Sequence, residues 1–476
     1  MLHNLSNLWQ RAARSVRTGL SRPQPLRGFR PRLEALEDRS VPSTLPVTST
    51  ADDVNQPGTL RYAVANAQNG DTILLTGAVK SGITLTQGQL LLNQNVSIES
   101  AGSNVISISG DGLSRVFEVA SGAQVSLSNL ILTGGNGVAS PTGTNPNDGF
   151  GGAILFDPGG TLTVSNCTFT GNQCSVGGGG AIEDLGHTLT VTNSSFVGNT
   201  GFYGGGIDTE DLTGTLSVTG STFVNNQGPN NGGALSLATT TTLTNCTFLG
   251  NGGGGGGAIG NFTGPLTVTS CTFTGNMAAG GGGAISNPLL QPLAISNSTF
   301  NANQAGTVGG AIAARGPTTI SNSTLSDNSA GINGGAIYHV GSTLTISNST
   351  LSGNSASVNG GAIDSFRTTL AVSNCTLSGN SAGGDGGAIF NFLGTVMVAD
   401  STLSGNTAAY GGALYNLSGT MTVTGSYLFD NTALIDGGAI FNNSGTVNVG
   451  TSTFLGNTPD NIVGGYNDLG GNSGLP

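Results

Sequence analysis

The sequence predicts an all-β solenoid, a parallel β-helix with three short strands per coil, about fifteen coils and a short N-terminal capping helix. Three observations predict it. A unit of about 26 residues recurs twelve times from Gly151 onward, each copy joining a Gly-Gly-Ala-Ile-like element to a Phe/Leu-x-x-Asn element. Within each copy apolar residues recur at a period of two, and helical spacing fits nowhere in the array. Glycine supplies 82 of 476 residues and charged residues only 8%, a composition that goes with disorder unless the apolar positions are periodic, as they are here.

Taken in order, residues 1–45 form a basic leader, either a targeting segment or a disordered arm. Eight of the thirteen Lys+Arg residues lie in its first forty positions. It lacks the apolar run of a standard secretory signal, and no stretch of the chain reads as a transmembrane segment. Residues 46–150 form an N-terminal cap and less regular initial coils. Within them, residues 57–70 place Leu60, Ala63, Val64 and Ala67 on one helical face, with Thr59 as N-cap and Gly70 as the stop. The end of a stacked array exposes apolar side chains and unpaired backbone, so this helix is expected to lie over the first coil. Alternating strands follow at Val105–Ile108, Val116–Val119 and Val125–Leu127. Residues 151–466 are the repeat array, and 467–476 a short tail.

The first full copy reads as strands at Ala153–Leu155, Thr161–Ser165 and Cys167–Thr170, with Leu162 and Val164 sharing a face and Thr163 looking outward. The few apolar side chains of one coil cannot offset the entropy of ordering it, so coils must stack. Stacking at about 4.8 Å implies a rod on the order of 70 Å long. Asn172 and its eleven equivalents stand where the third strand bends; Asn tolerates left-handed backbone, and its amide reaches the Asn of the next coil, which predicts a ladder. The Gly-Gly pairs read as bends with no room for a Cβ. No helix follows them, so they are not phosphate cradles.

Cys167, Cys246, Cys271 and Cys375 occupy one repeat position that is Ser elsewhere, which indicates a small packing side chain. Only Cys246 and Cys271 fall on neighbouring coils, within disulfide reach. Cys174 lies outside that position, and the absence of a Cys-x-x-Cys pair argues against zinc and thiol redox chemistry.

The elements Gly151–Ile154 and Phe169–Asn172, repeated through Asn457, resemble the repeat signature of the chlamydial polymorphic outer membrane protein family. The resemblance implies a right-handed β-helix displayed at the cell surface, extracellular or associated with the outer membrane, with adhesive roles. In that family a C-terminal β-barrel follows the repeats; here the sequence ends soon after the last coil, so export is expected to need separate machinery. Leu33–Pro42 resembles a short N-terminal motif of planctomycete surface proteins, which bears on cell address alone.

Beyond Ser40 five Lys+Arg face 21 Asp+Glu, a net of about −16, which disfavours nucleic acid and anionic membrane as partners. Polysaccharide lyase chemistry needs a base and cations, and the array holds only Arg315 and Arg367 and no Lys. A glycosidase needs two carboxylates about 5–10 Å apart. Asp157, Glu183, Asp184, Asp208, Glu210 and Asp211 follow the Ala-Ile strand in the first three copies, with His187 close by, and stacking is expected to gather them on one flank as a solvated acidic edge. Hard oxygen donors of this kind suit calcium, so Glu183, Asp184, Asp208, Glu210 and Asp211 are the metal candidates. No other cofactor and no catalytic residue is expected, and His339 is read as a surface residue. The leading expectation is a secreted or cell-surface structural or adhesive protein whose ligands are cell-surface proteins or polysaccharides. The alternative is a polysaccharide-active enzyme, a glycosidase more than a lyase, using the acidic flank.

Overall fold

The computed structural model describes residues 41–102, 105–138 and 148–475. The basic leader and its planctomycete-like motif fall, up to residue 40, outside the described residues. From Thr44 the chain is a parallel β-solenoid in which each strand pairs with its equivalent one coil away. Thr161–Ser165 lies on Thr188–Thr192 with Leu162 opposite Leu189 and Val164 opposite Val191. The strands of the first copy are Ile154–Phe156, Thr161–Ser165 and Thr168–Thr170, as the period-two pattern requires. The first two ladders belong to one 30-stranded sheet, joined in the late coils by the continuous strands Leu414–Thr424 and Ile440–Gly450. The Phe/Leu ladder is a 15-stranded sheet that counts the coils. After the Asn, from Gln227 on, a further sheet of nine short strands runs along the array. Strands as short as Ser329–Ala330 are too short to display a period, so the sequence did not announce them.

The capping helix spans Leu60–Asn66, with the Thr59 hydroxyl accepting from Tyr62 N at 3.1 Å. It buries Leu60, Ala63 and Val64 and packs on the strands Thr44–Val47 and Thr72–Leu75. It ends earlier than the Gly70 stop: Ala67 is already extended at the C-cap, and Gly70, at φ +92°, serves the turn that follows.

Inside the coil, identical residues stack. The column Ile154, Ile182, Ile207, Leu235 and Ile259 is fully buried. Beside it the rings from Phe169 to Phe300 stack face to face, with centroids 4.6–4.9 Å apart and planes within 8° of parallel. Aromatic pairs left free prefer offset or edge-on contact. Here the strand spacing imposes the geometry.

The asparagines form the ladder that their register implied. Asn303 Nδ2 donates to Asn328 Oδ1 of the next coil at 2.9 Å and to Phe273 O of the coil before at 3.0 Å, while Asn303 N donates to Asn328 Oδ1 at 3.0 Å. Each interior Oδ1 thus accepts two bonds and each amide donates two, so a polar column lies in the core with every group satisfied. Gly135 N donates to Asn172 Oδ1 at the first rung, and Asn457 Nδ2 reaches Asn461 Oδ1 at the last. One expectation fails: none of these asparagines is left-handed. The preceding residue takes that conformation, as at Gly198 (φ +61°), Asn225 (+53°), Ala302 (+53°) and Asp327 (+56°). A second left-handed corner separates the second and third strands, at Asn166, Asn193, Asn297, Asn322, Asn348 and Asn374. There it is Asn that tolerates the turn.

The Ser/Cys position is also a ladder. Cys167 N donates to Ser194 Oγ, and Ser194 N to Ser221 Oγ, both at 3.1 Å. Cys246 N meets Cys271 Sγ at 3.4 Å, and both thiols are free. The glycine bend is equally constrained, since a Cβ on Gly310 would lie 2.0 Å from Gly335 O.

Asn303→Ala leaves Asn276 N without a partner and removes one hydrogen bond each from Asn276 Nδ2 and Phe273 O. It is expected to cost about 2–4 kcal/mol locally, read by hydrogen exchange as lost protection of the Asn276 amide and its neighbouring coils. Unchanged exchange there would refute the ladder.

Candidate functional site

The middle residue of each Ala-Ile strand points away from the core, and this column changes from coil to coil. In register it passes from Leu155 through Glu183, Asp208 and Ser236 to Tyr338, Asp364, Phe390 and Tyr415. The loop after the third strand folds over part of it, so outward does not mean solvated.

Pleating therefore divides the six carboxylates that sequence reasoning placed together. Asp184 follows Phe156 on the inner face, where Gly186 N donates to its Oδ1 at 3.0 Å. Burial, with the charge of Asp211 as a lesser contribution, pushes it up to about 7. Asp211 accepts from Thr213 N and Oγ1, both at 2.8 Å, and faces His187 Nδ1 at 3.4 Å. Asp157 is half-buried beside Glu118, and burial raises its pKa. The expected solvated edge is corrected at Glu183, Asp184 and Asp208, which are no more than 4% exposed.

Glu183, Asp208 and Glu210 do meet, each offering an oxygen within 4.8 Å of the others. Glycines Gly177 to Gly180 close over Glu183, and Gly179 N donates to its Oε2 at 2.7 Å. A Cβ on Gly178 (φ +74°) would lie 1.6 Å from that oxygen, so only glycine lets the loop sit there. Asp208 lies beside the Ser236 hydroxyl, which accepts from Asn231 Nδ2 at 2.8 Å. Glu183 Oε1 and Asp208 Oδ2 are buried without a partner, while Glu210 is exposed. Burial first, then the neighbouring carboxylates, drives Glu183 well above the usual carboxylate range and Asp208 up to about 7. Arg115, fully buried nearby, bonds to the carbonyls of Gly137, Phe150 and Gly151 and pairs with Glu118 at 3.7 Å.

A second locus was not anticipated. Tyr338, Asp364, Phe366, Phe390 and Phe392 line a recess of about 330 Å³ rimmed by Asn333 and Asn359. Arg367 stacks on Phe366 at 5.1 Å and Phe366 on Phe392 at 5.3 Å. Asp364 is buried, which lifts it to about 7. Aligning the residue after Ala-Ile in every copy brings Tyr338, Asp364 and Phe390 together, and this alignment was the available signal. His339, expected at the surface, is corrected: it lies on the inner face, fully buried, with Nε2 3.0 Å from Gly316 O and Nδ1 3.0 Å from Thr368 Oγ1. Cys174 and Cys167 are pushed up to about 12 and 11 by burial, so neither thiol is activated.

Fold and repeat together define a parallel β-solenoid, four stretches of which match a known repeat. Residues 270–288, 322–339, 348–365 and 374–391 match the Chlamydia polymorphic membrane protein repeat, each stretch spanning the asparagine, the glycine bend and the next Ala-Ile strand. A search of curated proteins returned no match. Similar solved structures include a PL6 alginate lyase in complex with a trisaccharide, 13% identical, covering 91% of this chain and 89% of that one, with a TM-score of 0.38. The catalytic unit of a GH87 alpha-1,3-glucanase from Streptomyces thermodiastaticus is 17% identical, covering 93% of this chain and 70% of that one, at 0.36. PfbA, a surface adhesin of Streptococcus pneumoniae, is 13% identical, covering 80% and 91% respectively, at 0.33. Among the described residues no helix is long and apolar enough to cross a membrane.

The folded protein keeps the Asp364 proton up to about pH 7, whereas the unfolded chain releases it near 3.8. The folded state then binds more protons across that window, so this residue's contribution is intact below pH 4 and turns unfavourable as pH rises. Asp364→Asn is expected to gain stability over the parent between pH 4 and pH 8, by up to about 4 kcal/mol. Urea denaturation at the two pH values measures it, and an equal difference at both would count against the buried acid.

Proposed function

We propose that this protein is a β-solenoid displayed at the cell surface, with a structural or adhesive role, and that its adhesive contact is the recess around Asp364. The observation that carries this reading is the division of labour within the repeat. The Ile, Phe/Leu and Asn columns repeat from coil to coil, while the outward column varies and reaches its most aromatic stretch at that recess. The match to repeats of a membrane protein family supports a surface address. A concave, largely aromatic lining with a few polar groups at its edge suits the apolar face of a sugar ring with its hydroxyls bonded at the rim. The ligand class is therefore a polysaccharide.

A carbohydrate-active enzyme is the second reading, favoured by the paired acids Glu183 and Asp208, of which one stays protonated near neutral pH. Against it weighs the glycine loop over Glu183, which leaves Glu210 as the exposed member.

Protease shaving and antibody labelling of intact cells test the address; purely cytosolic protein would overturn it. Purified protein is expected to be retained on at least one polysaccharide of an immobilised panel, with Tyr338→Ala/Phe392→Ala weakening retention at least about tenfold. Turnover on the same panel, abolished by Asp208→Asn and by Glu210→Gln, would favour the enzyme instead.

A further inference from the structure

We propose that Glu183, Asp208 and Glu210 bind a hard divalent cation, Ca2+, which clips adjacent coils together beneath the glycine loop. The inference is independent of the polysaccharide recess.

Three anionic groups converge here, and acidic clusters alone are common on proteins. What distinguishes this one is that two of its members carry a buried, unpartnered oxygen, Glu183 Oε1 and Asp208 Oδ2, within a cluster whose ligand atoms lie within 4.8 Å of one another. Of the seven buried polar atoms without a partner among the described residues, these two are the carboxylate oxygens, and they lie together. The other oxygen of Glu183 is held by Gly179 N, and Ser236, whose hydroxyl accepts from Asn231 Nδ2, lies beside Asp208. That is the support a ligating carboxylate needs to keep its orientation. Glu210, exposed, provides access from solvent.

The donor set chooses the ion. All donors are carboxylate oxygens. The nearby Cys174 thiol donates to Gly178 O at 3.3 Å, and its high pKa withholds a thiolate, which disfavours soft metals. Carboxylates gathered from two coils and a loop form an irregular oxygen set, which the flexible coordination of Ca2+ accepts and the strict octahedron of Mg2+ does not.

Glu183 and Asp208 are cross-strand neighbours on successive coils. A bound cation would therefore replace repulsion between two coils by a shared ligand, and Gly179 would couple the loop to it. The competing arrangement is a proton shared between the same carboxyls.

The test is calorimetric titration of the full chain, freed of metal with chelator, with CaCl2 and separately MgCl2 at pH 7.5. Ca2+ is expected to bind with Kd on the order of 0.1 mM and Mg2+ at least about tenfold more weakly. Saturating Ca2+ should raise the melting temperature by about 3 °C and increase amide protection at Gly179. Asp208→Asn should abolish the heat, and Glu210→Gln, at an exposed position that leaves the fold intact, should weaken binding at least tenfold. Asp211→Asn, outside the cluster, should bind like the parent. Absence of Ca2+ heat in the parent, or parental affinity in either cluster variant, would overturn the site in favour of the shared proton.

Discussion

The fold depends on one constraint: parallel coils stacked at strand spacing place each side chain directly over its equivalent. A residue that bonds well to a copy of itself becomes a spine, and the buried asparagines do this completely, each amide giving two hydrogen bonds and taking two along the array. A buried polar column left incomplete would be costlier than an apolar one. Both ends are accordingly closed, by Gly135 N and by Asn461. The phenylalanine stack and the serine ladder obey the same rule with dispersion and hydroxyl bonds.

The stacked Ile, Phe/Leu and Asn columns are fixed by this rule, and the outward column is not. There the same spacing turns successive substitutions into short local surfaces, an acidic one at Glu183 and Asp208 and an aromatic one from Tyr338 to Tyr415. The two differ in cover as well as composition. Glycines allow the loop to close onto Glu183, whereas beside Asp364 the side chains leave a recess. A cation suits the first and an extended ligand the second.

Most of the architecture was legible because it is periodic. Leu162 and Val164 announced an inner face, the Phe/Leu-x-x-Asn spacing announced a ladder, and Thr59 announced the helix start. Local backbone geometry was less so: the left-handed corner precedes the asparagine, and the short strands after it carry no pattern. The candidate site was half legible. Glu183, Asp208 and Glu210 were named, but in company with Asp184, which adjoins Glu183 in sequence and faces the opposite way in the strand. His339 was misplaced for the same reason, since it falls on the inner side of its strand.

By itself, the sequence determined the period, the three strands and the residues that stack inside, because identical coils make each position its own neighbour. Only the tertiary structure decided which outward groups are buried. That depends on where aperiodic glycine loops fold back, and hence on contacts between segments with no repeating signal of their own. The raised pKa of Asp208 and the unpartnered oxygens at Glu183 and Asp208 follow from that cover.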